Sequence, residues 1–377
     1  VDADSSESIS YRLEGVPADV TLNGGTNLGG GNWLLTPAQL AALTLTPTAH
    51  WHGIIPLTLV AIATESSTGL SAETPAAFTV TVDAQADAPA LTAGPSTTNE
   101  DVAVNFGANI SYGLVDSDGS ESVTKVAVTG VPAGAVVSWT PLAGVAVTAV
   151  AGGYEITGAV PADMATVVSS LTLTPPLHDG NDITLSVAVT TTDADGSTAT
   201  TTRAHLIDVV PVADAPTVPA ASSAINEDVA TVFGSNITYN LVDADGSEVV
   251  SSVALSGFPV GSVVAYTAGA ATVTFAAGIY TISGTPAAIR AALDSFSYRT
   301  PANDDTNVTL AVAVTTTDSN GSTATTNSTH GLTVSAVADA PTGSGSGTGN
   351  EDTAIATPVT IAVADGDGSE TITQVQI

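Results

Sequence analysis

The acidic side chains of this 377-residue chain recur in short patterns built from hard oxygen donors. Asp-x-Asp-Gly-Ser-Glu gives three matched sets: Asp116, Asp118 and Glu121; Asp243, Asp245 and Glu248; Asp365, Asp367 and Glu370. Asn-Glu-Asp contributes Glu100 and Asp101, then Glu227 and Asp228, then Glu351 and Asp352. Ala-Asp-Ala-Pro contributes the single carboxylates Asp87, Asp214 and Asp339. Asp193-Ala-Asp195-Gly is matched by Asp318-Ser-Asn320-Gly, and the loop from Asp179 to Asp182 by one that carries Asp304 and Asp305. Two unit charges 4 Å apart repel by about 4 kcal/mol at an effective dielectric of 20. Clustered carboxylates must therefore hold protons or enclose a cation. Ca2+ takes roughly 6–8 oxygen ligands in flexible geometry, and short Asp-x-Asp-Gly loops with backbone carbonyls can supply them. The chain has no Cys and five His, so softer metals lack ligands. All the carboxylates named here are candidate Ca2+ ligands. The plainer reading is a set of solvated Asp-Gly turns, but recurrence in register favours the cation. An EF-hand is excluded, because its helices and downstream bidentate Glu are absent.

The elements that must position these residues follow from the repeat. Asp87, Asp214 and Asp339 mark a period of about 125 residues, and Asp2-Ala3-Asp4-Ser5-Ser6-Glu7 is a degenerate copy of the acidic loop. The chain divides into 1–86, 87–213, 214–338 and 339–377, the first and last being partial repeats. Such a period is too long for a solenoid unit and suits an independent sandwich. Thr184 to Val189 and Thr309 to Val314 alternate apolar with small or polar residues, and Leu57 and Leu59 open the matching run. A period of two means a strand with one buried face, and Val and Thr enrichment supports an all-β fold. One short helical turn per repeat is expected at Pro37, Pro161 and Pro286, each at a plausible N1.

Tracing an up-and-down sandwich places Asn-Glu-Asp at the start of the first strand, at the pole facing the previous module. The second strand, around Ile110 to Val115, returns to that pole and ends in the Asp116 loop. The strand from Leu185 to Thr190 ends there in Asp193 and Asp195. Three acidic segments are thus expected beside Asp87, with the loop from Asp179 to Asp182 at the opposite pole, facing the next junction.

The charge of −32, from 37 acidic and 5 basic residues, excludes nucleic acid and anionic membrane surfaces as partners. With 44% hydrophobic residues the chain should fold. No run approaches the roughly 20 apolar residues of a membrane span. The N-terminus lacks the basic and apolar regions of a signal peptide and reads as the middle of a module from a longer protein.

Other residues have plainer explanations. His50-Trp51-His52 replaces an acidic loop; two such imidazoles can bind zinc and the Trp can stack on a sugar, but loop packing explains them more simply. Trp33 aligns with Tyr154 and Tyr280 and is expected in the core. Gly343 to Gly349 lacks a P-loop Lys and reads as a flexible connection. The sequons at Asn109 and Asn236 recur in a strand, so their recurrence is structural. No nucleophile elbow and no His-Glu-x-x-His is present, and the five His show no matched positions across repeats, so an enzyme is not expected.

On Asn-Glu-Asp, Asp-x-Asp-Gly-Ser-Glu, the hairpin Thr191 to Ser197 and Val-Ala-Asp-Ala-Pro at Val212, the chain resembles the cadherin-like and immunoglobulin-like extender repeats of large bacterial RTX adhesins. The resemblance implies tandem immunoglobulin-like, cadherin-like β-sandwich modules of a type I-secreted protein on the bacterial cell surface. It also implies Ca2+ at the junctions, a monomeric rod whose partners are its own neighbouring modules, and host, surface or biofilm ligands bound by other domains. A glycan- or peptide-binding first repeat and homophilic cadherin-like adhesion are the alternatives, and 4% aromatic content counts mildly against both. Repeat one departs from the pattern, with Glu65-Ser-Ser-Thr for Thr-Thr-Asp and Ser5 for Gly, so its upstream junction is expected to differ.

Overall fold

A computed structural model describes residues 6–116, 119–243, 245–364 and 368–376. Asp118, Asp365, Asp367 and the degenerate Asp2 to Ser5 lie outside the described residues. The strands form where the sequence alternates. Ile183–Asp193 buries every second side chain along its whole length, and Val308–Thr317 does the same. Leu57 lies in Gly53–Glu65 with its side chain in the core. The fold is all-β, a tandem of β-sandwiches with three short α-helices and two single 3-10 turns among the described residues.

Contacts divide the chain into two compact units. The first comprises Val1–Ser96, Ala103–Leu173 and Ile183–Ile207. It holds the five-stranded sheet of the first repeat, in the order Thr26–Gly29, Asn32–Leu35, Glu7–Glu14, Gly53–Glu65, Ser71–Val82. Leu13, Leu35, Ile55 and Leu57 of this sheet pack with Val20, Leu22 and Leu45 of a two-stranded sheet. Trp33 lies against this core as expected, paired with Leu13 as Tyr154 is with Val128. The same unit holds the antiparallel ladder of Val145–Val150, Gly153–Gly158, Glu121–Thr129, Ile183–Asp193 and the strand beginning at Thr198.

The second unit comprises Thr97–Val102, Thr174–Asp182 and Asp208–Ile377. Its main sheet runs Ala221–Asn226, Thr323–Ser335, Val308–Thr317, Val249–Ser256, Ile279–Ser283, Thr272–Ala276. A three-stranded sheet of Thr231–Val232, Ser297–Arg299 and Val263–Ala265 supplies the other layer. Between them lie Phe233, Val253, Leu255, Ile282, Phe296, Tyr298, Leu310 and Val312, all at most 2% exposed.

The helices are Pro37–Ala41, Pro161–Ser169 and Pro286–Asp294, each with the expected proline in its first turn. Thr36 makes a capping box with Gln39, and Thr285 caps the third helix at the Ala288 amide. The two longer helices bury Met164, Val167 and Val168, and Ile289, Ala292 and Leu293. Each seats its last turn on a glycine. A Cβ on Gly107 would lie 1.9 Å from the Val168 carbonyl oxygen, and one on Gly234 would lie 1.8 Å from that of Leu293.

Two expectations are corrected. The Gly343 segment is not a free connection: Thr342–Gly345 forms a strand paired with Val359–Ala362, since a ladder needs only backbone groups. Asn-Glu-Asp ends its strand rather than beginning it. In the second unit Ala221–Asn226 runs parallel to Thr323–Ser335, with Asn226 beside Ser335. Val249–Ser256 and Thr323–Ser335 both run antiparallel to Val308–Thr317, so Ala221–Asn226, Val249–Ser256 and Thr323–Ser335 start at one pole, where Val308–Thr317 ends. The Asp243 and Asp318 loops lie at that pole, and Glu227 and Asp228 at the other. The thirteen residues from Asp214 to Asn226 can span roughly 40 Å when extended, and that run carries the motif across the sandwich.

Candidate metal centre

The recurring carboxylates gather into clusters, each within a single unit. In the first unit the Asp87 amide donates to Glu121 Oε1 at 2.6 Å, and the Thr191 hydroxyl donates to the Asp87 carbonyl at 2.7 Å. The Ala86 amide donates to Ser197 Oγ at 2.8 Å. Together these contacts fix the Ala-Asp-Ala-Pro backbone against the two acidic loops. Ser120 Oγ lies 2.9 Å from Asp193 Oδ2 and 3.3 Å from Asp116 Oδ2, which draws the two loops together. His50 Nδ1 is 2.6 Å from Asp87 Oδ2. Asp116, Glu121 and Asp193 are buried. A cavity of about 150 Å³ is lined by His50, Asp83, Asp87, Asp116, Ser120 and Asp193.

The second unit repeats the arrangement and adds to it. Thr316 Oγ1 donates to the Asp214 carbonyl at 2.7 Å, and the Ala213 amide donates to Ser322 Oγ at 2.8 Å. Ser247 Oγ sits 2.7 Å from Asp243 Oδ2 and 2.9 Å from Asp318 Oδ2. Here Glu100 and Asp101 join. The Val212 amide donates to Glu100 Oε1, the His178 amide donates to Asp101 Oδ1 at 2.9 Å, and the Gly180 amide donates to Asp245 Oδ2 at 2.8 Å. His178 Nδ1 is 2.5 Å from Asp214 Oδ2 and 3.3 Å from Asp101 Oδ2.

Glu100 and Asp101 therefore meet the Asp-x-Asp-Gly-Ser-Glu loop of the following repeat, not that of their own, which corrects the expected pole. The loop from Asp179 to Asp182 lies with them at that pole, as expected. A third set, in the same unit, pairs the Val337 amide with Glu227 Oε1 at 2.6 Å and the Asp339 amide with Glu370. Its Asn303 amide lies 3.3 Å from both Asp228 carboxylate oxygens.

Some expected ligands also accept backbone donors, as Asp245 does from the Ser247 amide. Asp182 Oδ1 accepts from the Val209 amide at 3.0 Å, and the matched Asn307 accepts from Val334 at 2.8 Å, so this position does not require a charge. Asp179 and Asp304 close Asx turns on Asn181 and Thr306. Asp195 accepts the Ser197 amide at 2.7 Å, and Ser197 holds its carboxyl below the usual carboxylate range. Glu351 and Asp352 are exposed. In repeat one Glu65 takes the place of Asp193 and accepts from Ser6 Oγ at 2.8 Å, which keeps one loop contact despite the different sequence.

The electrostatics bear out the cost of clustering. Burial pushes the Glu100 carboxyl up to about 7; the Val212 amide opposes this, while the charges of Asp243, Asp214 and Asp101 reinforce it. Burial also raises Glu248. Burial acts upward on Asp245 as well, but the Ser247 and Gly180 donors prevail and lower it. Arg12 pairs with Glu14 and Glu73, Lys125 with Glu155, and Arg290 with Asp294. Glu100 Oε2 and Glu121 Oε2 are buried without a protein donor. An oxygen-rich cluster with such orphaned acceptors fits a hard divalent cation.

Of the imidazoles in these clusters, sequence reasoning offers His50 as a zinc ligand with His52 and misses His178. His50, His178 and Asn303 occupy one matched position, with φ of 64°, 54° and 55°. Asp101, Asp228 and Asp352 likewise share φ near 60°. His205 and His330 are also matched, against the expectation that no His recurs. Each lies in the core, with Nε2 at 3.1 Å from Ser96 Oγ and at 2.9 Å from Ser223 Oγ respectively. Asn109 and Asn236 end 3-10 turns rather than lying in a strand, and donate to those same hydroxyls at 3.0 and 2.8 Å, which gives the recurring sequons their structural role.

No family model matches the chain, and no curated protein matches it. Among solved structures it is similar to mouse cadherin-23 EC22-24, at 13% identity and a TM-score of 0.39, over 89% of this chain and 90% of that one. It is similar to mouse clustered PcdhgC3 EC1-3, at 12% identity and a TM-score of 0.35, over 87% and 89%. It is also similar to human mucin-like protocadherin EC1-2, at 14% and a TM-score of 0.29, over 66% and 98%. With TM-scores this low, the fold described above rests on strand order and register alone.

Proposed function

We propose that this chain is a structural extender region of a large secreted bacterial surface adhesin, in which Ca2+ at each junction stiffens successive sandwiches. The observation that carries the reading is the second cluster. Glu100, Asp101, Asp214, Asp243, Asp245 and Asp318 come from two successive repeats and the run joining them. Buried Glu100 keeps one carboxylate oxygen without a donor. A hard cation there offsets the repulsion and ties the repeats together. Metal bridging restricts the hinge motion that is the default between linked domains. Asp87, Asp116, Glu121 and Asp193 make the matching set in the first unit, and Glu227, Asp228, Asp339 and Glu370 make the third cluster. Such a rod would hold ligand-binding domains of the parent protein away from the cell surface and so serve adhesion and biofilm growth. Calorimetric titration of the full chain with CaCl2 tests the metal directly. Saturable binding that an Asp101→Asn, Asp214→Asn variant weakens at least tenfold is expected. Uptake that is absent, or indifferent to those substitutions, contradicts the reading.

A further inference from the structure

Ca2+ is satisfied by oxygen alone, yet an imidazole nitrogen stands inside two of these clusters. His50 Nδ1, Asp87 and Asp116 offer one donor atom each within 4.8 Å of one another in the first unit. Asp101, His178 Nδ1 and Asp214 do so in the second. His50 and His178 are matched across repeats, so the nitrogen recurs with the carboxylates. The second triad lies beside Glu100, which is 4% exposed, has Oε2 without a donor and feels the charges of Asp101 and Asp214. The first lines the cavity of about 150 Å³.

We propose that each of these two triads is a mixed nitrogen–oxygen site for a borderline divalent cation of the zinc type, alongside the oxygen-only positions suited to Ca2+. The inference rests on the reading of these clusters as cation sites. Such ions bind His nitrogen and Asp oxygen at about 2.0–2.2 Å, almost always with tetrahedral donors. Donors on one ion are then about 3.4 Å apart, so triads whose atoms lie within 4.8 Å must close by about 1 Å. Where nitrogen and oxygen donors combine, zinc-type ions outrank Ca2+. The chain carries its own control. The third matched position is Asn303, whose side-chain amide donates to the Ala364 carbonyl at 2.7 Å. The third cluster should therefore lack the site.

The test is calorimetric titration of the full chain with ZnCl2 in Ca2+-free buffer, beside a CaCl2 titration of the same proteins. The variant is His50→Asn with His178→Asn, which installs the residue found at 303. Wild type should take two equivalents of Zn2+. The double variant should lose both while keeping its Ca2+ isotherm and melting temperature. Long-range imidazole nitrogen NMR should show the metal on Nδ1. No Zn2+ uptake by wild type, or an unchanged isotherm in the double variant, overturns the inference with the calcium reading intact. Two Zn2+ equivalents without any Ca2+ binding would uphold the sites and sink the calcium reading instead.

Discussion

At the scale of single residues, the buried imidazoles and the buried Glu100 make opposite demands on pH. Asn109 and Asn236 donate to the Ser96 and Ser223 hydroxyls, which in turn face Nε2 of His205 and His330. That chain of donors assigns the neutral Nδ1–H tautomer. Burial lowers both His, so the unfolded chain binds more protons than the folded one once pH drops below about 6.5. Their contribution is present above that value and lost as pH falls through the folded values. Thermal melts from pH 7.5 to 5 should show this loss, and His205→Gln with His330→Gln should flatten it. Equal slopes in wild type and variant would refute the assignment. Glu100 has the opposite sign: raised by burial to about 7, it is partly protonated near neutrality, and the proposed cation would displace that proton. Ca2+ binding near pH 7 should release protons in weakly buffered solution and tighten as pH rises; uptake without release, or with no pH dependence, contradicts this.

At the scale of elements, the closest tolerances lie where the helices end. Gly234 places its backbone where a Cβ would overlap the Leu293 carbonyl oxygen. Gly234→Ala must push the end of the Pro286–Asp294 helix and Phe296 away from residue 234, and a loss of about 1–3 kcal/mol is expected from overpacking. Urea unfolding measures it, and an unchanged midpoint would show that the helix can shift freely. The elements themselves were legible in the sequence, because Ile183–Asp193 and Val308–Thr317 alternate cleanly and Pro161 and Pro286 mark helix starts. The strand Thr342–Gly345 was not legible, since its glycines give no side-chain period and its pairing with Val359–Ala362 is long-range. Carboxylate identity was readable from the repeats. The partnership of Glu100 with Asp214 and Asp243 was not, because it depends on the direction in which the first strand crosses the sandwich. His178 was overlooked because its partner in the period is a Trp-flanked His50 in one repeat and Asn303 in another.

At the scale of the whole molecule, the recurring carboxylates of the second cluster can be tested together. Asp243 and Asp245 receive the Ser247 hydroxyl and the Gly180 amide. Replacing both by Ala leaves the Ser247 hydroxyl its Asp318 partner but strands the Gly180 and Ser247 amides, at roughly 1–3 kcal/mol for each that stays buried, and removes two of the proposed oxygen ligands from the second cluster. The Asp243→Ala, Asp245→Ala variant should lose most of its Ca2+-dependent gain in melting temperature. Retention of the full gain would place the cation elsewhere. The central claim is that a hard cation held between repeats stiffens the array, and small-angle scattering of the full chain with and without a chelator tests it most directly. Added Ca2+ should lengthen the maximum dimension and narrow the conformational spread, and chelation should reverse both. Scattering curves that superimpose with Ca2+ and with chelator, at concentrations where calorimetry shows the metal bound, would contradict it.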